Sequence, residues 1–204
     1  MLFSSITFLY YFLPLTIALY FFSPTCLKNT VLLLSSLLFY AWGEPKYILL
    51  MGSSIVLGYG FGLLVEKYRG KKLGKFFCVF SIIISLSFLV YFKYVDFFIT
   101  NFNAITGLNL SLLKVVLPIG ISFYTFQMIS YIVDIYRGEE AQKNMINMAA
   151  YIAMFPQLIA GPIVRYSDIA KQLETRKHSW DMAAEGIRRF VIGLAKKVLL
   201  ANQL

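Results

Sequence analysis

The sequence predicts an all-α polytopic integral membrane protein with about five transmembrane helices, a broken, re-entrant segment and an amphipathic interfacial helix. Of the 204 residues, 59% are hydrophobic and only 14% are charged, whereas soluble domains average roughly 45–50% apolar and about 25% charged residues. Apolar runs also recur along the chain at close to membrane-spanning length. We therefore expect a single membrane domain over residues 1–204, with membrane stretches in 1–164 and a cytoplasmic polar segment and helix in 165–204.

Six stretches approach the roughly 20 apolar residues that a helix needs to cross the bilayer core. The stretches are residues 6–22, 29–43, 47–65, 76–92, 115–133 and 144–164. The first contains Pro14, which a membrane helix tolerates better than a soluble one. The sixth is interrupted by Pro156, Gly161 and Pro162, so a broken helix is expected there.

The distribution of basic residues predicts the topology. Residues 66–75 contain five Lys and Arg against one acidic residue, so the positive-inside rule places them in the cytoplasm. Counting outward puts 23–28 and 134–143 inside and 93–114 outside. If 144–164 crossed the bilayer completely, the six Lys and Arg of 165–189 would lie outside. A re-entrant path keeps both flanks cytoplasmic, and its non-helical backbone is allowed where protein or a cavity surrounds it.

Small residues recur every fourth position in the third stretch, at Ser54, Gly58 and Gly62. Such a stripe allows a neighbouring helix to approach closely. We interpret it as a packing surface.

An amphipathic helix is predicted from Ser179, which is a suitable N-cap, with Asp181 in the first turn. Its apolar face comprises Ala183, Ile187, Phe190, Val191, Leu194 and Val198, and its other face carries Arg188, Arg189, Lys196 and Lys197. A basic amphipathic helix suits the anionic cytoplasmic leaflet. The alternative is that the helix leads into a further span.

Motifs of soluble enzymes are not found: the sequence contains neither a phosphate-binding glycine motif nor a zinc-binding HExxH. The single histidine, His178, lies in a polar segment and is interpreted as a solvated surface residue. The net charge of +9 comes from short basic stretches between apolar runs. It therefore does not indicate nucleic-acid binding.

Polar residues inside apolar stretches are the candidate site residues. Gln127 and Gln157 require partners in the membrane, so they either line a polar cavity or join helices. Arg165 follows Gly161-Pro162 and would either hold a carboxyl, phosphate or thioester-linked group or anchor the chain at the interface. Asp134 and Arg137 are spaced to form an ion pair on one helix face, which we interpret as structural.

Three ordered blocks stand out along the chain, namely LPIGISFYTFQ at 117–127 with DIYRG at 134–138, FPQLIAGPIVR at 155–165 and GIRRFVIGLAKK at 186–197. These blocks resemble the signature of bacterial membrane-bound O-acyltransferases of the alginate O-acetylation type, and FYAWG at 39–43 also fits. The structural signature residues that this resemblance implies are Asp134, Arg137, Gly138, Pro156, Gly161 and Pro162. The resemblance covers essentially the whole chain.

The resemblance implies acyl transfer from a thioester donor, acetyl-CoA or an acyl carrier protein, to a hydroxyl on a cell-surface polysaccharide. It implies no bound cofactor, a bacterial inner-membrane location, and an extracytoplasmic acyltransferase or esterase-like partner protein. The family's catalytic histidine is expected beyond Leu204, in a C-terminal half, so we expect no catalytic residue in this chain and no activity from it alone. The alternatives are a D-alanyl transfer protein of teichoic acid modification, and a transporter or non-catalytic scaffold.

Overall fold

The protein is described by a computed structural model over residues 3–158, 164–176 and 178–201. Helix α1 spans Thr7–Phe22 and is π-helical through Phe12 before it becomes α-helical. Pro14 lies just after this transition, where a locally widened helix accommodates its missing N–H donor. A 3-10 turn at Thr25–Leu27 leads into α2, Lys28–Gly43.

Three long helices follow, namely α3 (Ile48–Lys67), α4 (Lys72–Thr106) and α5 (Ile121–Arg137). In the described residues, three helical segments are long and apolar enough to cross a membrane: Thr25–Gly43, Pro45–Lys67 and Lys72–Thr106. The shorter helix α1 is also apolar. These helices confirm the predicted all-α membrane protein.

Helix α4 is longer than the sequence predicted. The apolar run 76–92 was expected to end in a loop, but the helix continues to Thr106 and has 35 residues. At about 1.5 Å per residue it exceeds the roughly 30 Å hydrocarbon core, so it extends beyond the bilayer. Asp96 lies in this extension, and it accepts hydrogen bonds from the backbone N–H groups of Leu113 at 2.8 Å and Lys114 at 3.3 Å. The returning chain is thereby fastened to the helix extension.

The fifth helix begins later than the predicted 115–133 stretch. Residues 115–118 are not helical, and α5 starts only after Gly120, which has a left-handed backbone with φ of 78°. Glycine adopts this conformation without a steric penalty. The early residues of the predicted stretch therefore belong to the incoming loop.

The small-residue stripe of α3 packs against α5. A Cβ atom at Gly58 would overlap the Met128 side chain, and one at Gly62 would lie 2.7 Å from the Tyr131 hydroxyl oxygen. Both α5 side chains are buried. The packing interpretation of the stripe is confirmed.

The sixth stretch is a broken helix, as predicted. Helix α6 (Met145–Ala153) ends at Met154, and α7 is the single turn Phe155–Leu158. Pro156 causes the break because it has no N–H to donate and its ring would clash with the carbonyl of Ile152 in a continuous helix. Gly161 and Pro162, the other predicted breakers, lie outside the described residues.

The two flanks of this broken segment meet at the same end of the helix bundle. The Gln142 side-chain amide donates to the Tyr166 hydroxyl at 2.9 Å, and Tyr166 begins α8, Tyr166–Glu174. The Tyr151 hydroxyl donates to the Val164 carbonyl at 2.8 Å. A re-entrant path requires its two flanks to lie at the same end of the bundle, and the path itself stays a prediction.

Helix α9 spans Trp180–Ala195 and continues as a π-helical turn, Lys196–Ala201. The Ser179 hydroxyl accepts a hydrogen bond from the Met182 N–H at 3.2 Å, which confirms the predicted N-cap. None of its described residues is buried. The apolar face of α9 is therefore open in this structure.

Candidate functional site

A cavity of about 380 Å³ lies between α1, α2, α8 and the broken segment. The turn α7 supplies one wall, because the break after Ala153 turns the chain away from the axis of α6. Polar side chains at the cavity are Thr16, Tyr20, Gln157, Gln172 and Arg176, and the remaining lining is apolar. It is thus a largely apolar chamber with a few polar groups, which is typical of small-molecule sites.

Gln157 lies on this cavity beside Pro156. Its Nε2 donates to the carbonyl of Tyr151, one of the last-turn carbonyls that the ending of α6 leaves without an intrahelical partner. This hydrogen bond fixes the side-chain amide at the cavity wall. Of the three site residues predicted from the sequence, Gln157 is the one that the structure places on this cavity.

Gln127 is elsewhere in the bundle. It is 1% exposed in α5, and its Oε1 atom has no hydrogen-bond partner among the described residues. The hydroxyl of Tyr124, one turn earlier on the same helix, is also buried without a hydrogen-bond partner among the described residues. Since an unsatisfied buried polar group costs about 1–3 kcal/mol, these atoms mark a place where a polar occupant would be stabilising.

Arg165 immediately precedes α8, and its side chain is exposed. It does not line the cavity that Gln157 lines. The neighbouring residue Tyr166 turns inward to the Tyr131 ring, with ring centroids 5.0 Å apart. The structure therefore does not bring Arg165 together with Gln127 or Gln157 around this cavity.

The predicted ion pair between Asp134 and Arg137 is wrong. Among the described residues the ion pairs are Glu66 with Lys143 and Glu185 with Arg189, and Asp134 Oδ2 is buried without a hydrogen-bond partner. Arg137 is exposed on the last turn of α5, and turning its guanidinium inward to Asp134 would cost the hydration that it has at the surface.

Gly138 ends α5 with φ of 135°. Its carbonyl accepts a hydrogen bond from Arg69 Nη1 at 2.9 Å, and the neighbouring Glu139 carbonyl accepts one from Nη2 of the same guanidinium. Arg69 belongs to the α3–α4 turn. The basic loop predicted to be cytoplasmic is thereby attached to the segment that follows α5.

A cationic cluster beside the cavity was missed by sequence reasoning. Nε2 of His178 lies 3.3 Å from the Tyr20 hydroxyl and 3.4 Å from Lys28 Nζ, and Arg176 donates to the Tyr20 hydroxyl at 3.2 Å. His178 had been interpreted as a solvated surface residue, and it is exposed but makes these contacts. The sequence pointed to this cluster only through the basic character of 165–189, because more than 140 residues separate Tyr20 and Lys28 from Arg176 and His178.

The cluster borders a second cavity of about 300 Å³, lined by Lys28, Asn29, Arg176 and His178 among others. This cavity shares Leu173 and Arg176 with the first. The two chambers are therefore adjacent, one apolar beside the broken segment and one cationic at the start of α2.

Comparison with known proteins identifies relatives of the chain. Residues 139–204 match the family model of MBOAT, the membrane-bound O-acyltransferase family. The chain is 42% identical to the probable alginate O-acetylase AlgI of Pseudomonas syringae pv. tomato and 40% identical to that of Pseudomonas aeruginosa. Each alignment covers all of this chain and 40% of the relative. No solved structure matches the chain.

A peptidoglycan O-acetyltransferase of Helicobacter pylori is 32% identical over 99% of this chain and 45% of its own length. The chain thus spans less than half the length of the curated relatives that it matches. These relatives and the apolar helices place the chain in the bacterial inner membrane as a multi-pass protein.

Proposed function

We propose that the chain, which matches the model of the membrane-bound O-acyltransferase family over residues 139–204 and is similar over its whole length to alginate O-acetylases, belongs to an enzyme that transfers an acyl group to hydroxyls of a cell-surface polysaccharide. The acyl group is an acetyl group, as in the names of the relatives, alginate O-acetylase and peptidoglycan O-acetyltransferase. The family implies an acyl donor as substrate. We propose a cytoplasmic thioester, either acetyl-CoA or a carrier-protein-linked acyl group.

The observation that carries this proposal is the 380 Å³ cavity beside the broken segment. An acyl thioester that reacts inside a membrane needs a chamber that excludes water, because water would hydrolyse it. The lining from α1 and α2, including Leu13, Ile17 and Leu32, is apolar and is proposed to form one side of such a chamber.

Gln157 provides a fixed hydrogen-bonding group in this chamber. Its Nε2 is held by the Tyr151 carbonyl, so the amide is preorganised and loses little freedom when a ligand binds. Both proposed donors carry the acyl thioester on a pantetheine arm that contains amide groups. We propose that Gln157 positions this arm. Gln127, with its unpartnered oxygen, is proposed to face the hydroxyl acceptor, and Arg165 is proposed to contact the donor side.

The proton acceptor for the attacking hydroxyl is proposed to be the histidine that the resemblance implies beyond Leu204. General-base catalysis of this kind contributes about 10²–10⁴-fold. The remaining partners in the proposal are the C-terminal half that completes the channel wall and an extracytoplasmic acyltransferase or esterase-like protein that receives the acyl group.

Filling the cavity tests the proposal. In the full-length gene product, Ile17→Trp adds bulk at the cavity wall. We expect transfer of labelled acetyl groups to the polysaccharide to fall about tenfold or more, because a small displacement of the reacting groups lowers the rate by up to about 10²-fold. Leu19→Trp is the matched control because Leu19 is exposed on the same helix and does not line this cavity. Equal activities of the two variants would refute the role of the cavity.

A further inference from the structure

A second groove, distinct from the proposed donor cavity, runs between the end of α1 and the open face of α9. Its volume is about 580 Å³, and its apolar lining comprises Phe21, Trp180, Met182, Ala183 and Ile187. His178 and Ser179 are its polar members. A groove of this lining accepts a hydrocarbon chain, whereas a pantetheine arm would leave its amides without partners.

His178 lines both this groove and the 300 Å³ cationic cavity, so the two adjoin at that residue. Lys28 Nζ lies 5.0 Å above the Tyr20 ring, and the Arg176 guanidinium carbon lies 5.6 Å from the same ring. Glu174 also lines the cationic cavity. In the described part of the chain it forms an ion pair with neither cation.

Lys28 and Arg176 both contact the Tyr20 ring, and neither has an acidic ion-pair partner among the described residues. Two such cations repel one another, and an anion bound between them removes that penalty. Lys28 is also the first residue of α2, which has no side-chain cap hydrogen bond at its N-terminus. The partial positive charge of the helix end therefore adds to that of the side chains.

The ends of the adjoining helices indicate that the site lies near the lipid headgroups. Helix α1 ends at Phe22, which is 90% exposed, and α9 begins with Trp180, which is 92% exposed. Tryptophan is enriched at the membrane–water interface. The topology predicted from the basic residues puts this end of α1 on the cytoplasmic side, where anionic lipids are attracted to basic residues.

We propose that Lys28, Arg176 and His178, together with the groove between Phe21 and Ile187, bind one anionic phospholipid of the cytoplasmic leaflet. The phosphate lies among the three side chains, and one acyl chain occupies the groove. The bound lipid joins α1 and α2 to α9, whose apolar face has no buried residue in the described structure. This site does not depend on the acyl-transfer proposal, because the lipid is not a substrate.

The test uses the full-length gene product in phosphatidylcholine nanodiscs titrated with phosphatidylglycerol, with bound lipid counted by native mass spectrometry. We expect one tightly retained phosphatidylglycerol. Lys28→Gln should weaken its retention about fivefold, the contribution of one Lys to anionic lipid binding. Lys72→Gln removes the same charge from the first residue of α4 and should leave retention unchanged.

A second pair of variants tests the groove independently of charge. Ile187→Gln places an amide on the groove wall and should weaken retention, while Ile192→Gln changes an exposed isoleucine of the same helix that does not line the groove. Equal effects within either pair, or equal retention of phosphatidylcholine, would overturn the proposal. Displacement of the lipid by free coenzyme A would also overturn it, since the cluster would then belong to the donor. Acetyl transfer is measured on the same samples, so loss of the lipid site and loss of the transferase are distinguished.

Discussion

Asn29 and Asn147 are joined by a 2.6 Å hydrogen bond although 118 residues separate them in sequence. The same Asn29 Nδ2 donates to the Leu173 carbonyl at 2.7 Å, and its Oδ1 accepts from Arg176. One side chain at the start of α2 therefore binds both the chain that enters the broken segment and the chain that leaves it. This relationship fixes the wall of the candidate donor cavity, which Leu173 and Arg176 line.

Asn29→Ala should destabilise the protein. The substitution removes the hydrogen bonds to Asn147 and Leu173 and the acceptor of Arg176, and interhelical hydrogen bonds in membranes average about 0.6 kcal/mol each. We expect a loss of about 1–2 kcal/mol, measured as the free energy of unfolding in detergent. Asn101→Ala is the control, because the Asn101 side chain donates only within its own helix, to Phe97. If the two variants were equally stable, Asn29 would not be a structural junction.

Most of the fold could be predicted because hydropathy is a local property. The apolar runs gave the helices, and Pro156 gave the break, since the loss of its N–H acts within one turn. The extension of α4 could not be predicted. Charged residues such as Lys93 and Asp96 usually follow the end of a membrane span, so the helix was expected to end before them. Asp96 accepts hydrogen bonds from the backbone of Leu113 and Lys114. The path of the loop that brings these residues back to the helix cannot be read from the sequence.

The candidate site was only partly predictable for a related reason. Gln157 was selected because a polar residue in an apolar stretch needs a partner, and that argument requires only neighbouring residues. The cluster of Tyr20, Lys28 and His178 depends on tertiary approach of α1, α2 and the chain before α9. No spacing rule connects residues that far apart.

The α3–α5 contact predicts a sharp difference between two glycines of one helix. A Cβ at Gly58 would overlap Met128, whereas a Cβ at Gly60 would meet nothing within 4 Å. Gly58→Ala should therefore lower the free energy of unfolding by about 1–3 kcal/mol through overpacking. Gly60→Ala should be neutral or stabilising by up to about 1 kcal/mol, because alanine favours the helix. Denaturant titration measures the free energy of unfolding of both variants. A Gly58→Ala variant as stable as Gly60→Ala would contradict the close contact between Gly58 and Met128.

The re-entrant path predicts that Lys143 and Lys171 lie on the same side of the membrane. In a background with Cys26→Ser and Cys78→Ser, single substitutions Lys143→Cys and Lys171→Cys should be labelled by an impermeant thiol reagent from the cytoplasmic side only. Lys114→Cys is the control for the opposite side, because the positive-inside rule predicts that residues 93–114 lie outside. Labelling of Lys171→Cys from outside would show that the segment crosses the membrane.

Replacing Pro156 should lower acetyl transfer without lowering the free energy of unfolding. Pro156→Ala restores an N–H that can bond the Ile152 carbonyl, and it removes a residue that costs about 3 kcal/mol in a helix interior. The helix then continues through residues 154–158, and the side chains at positions 156 and 157 leave the cavity wall that Pro156 and Gln157 form in the unchanged chain. We expect acetyl transfer by the full-length gene product to fall about tenfold or more, while the free energy of unfolding stays equal or rises. Pro14→Ala, at a proline of α1 that does not line this cavity, should leave transfer unchanged. Full activity of Pro156→Ala would mean that the break is not needed for the reaction.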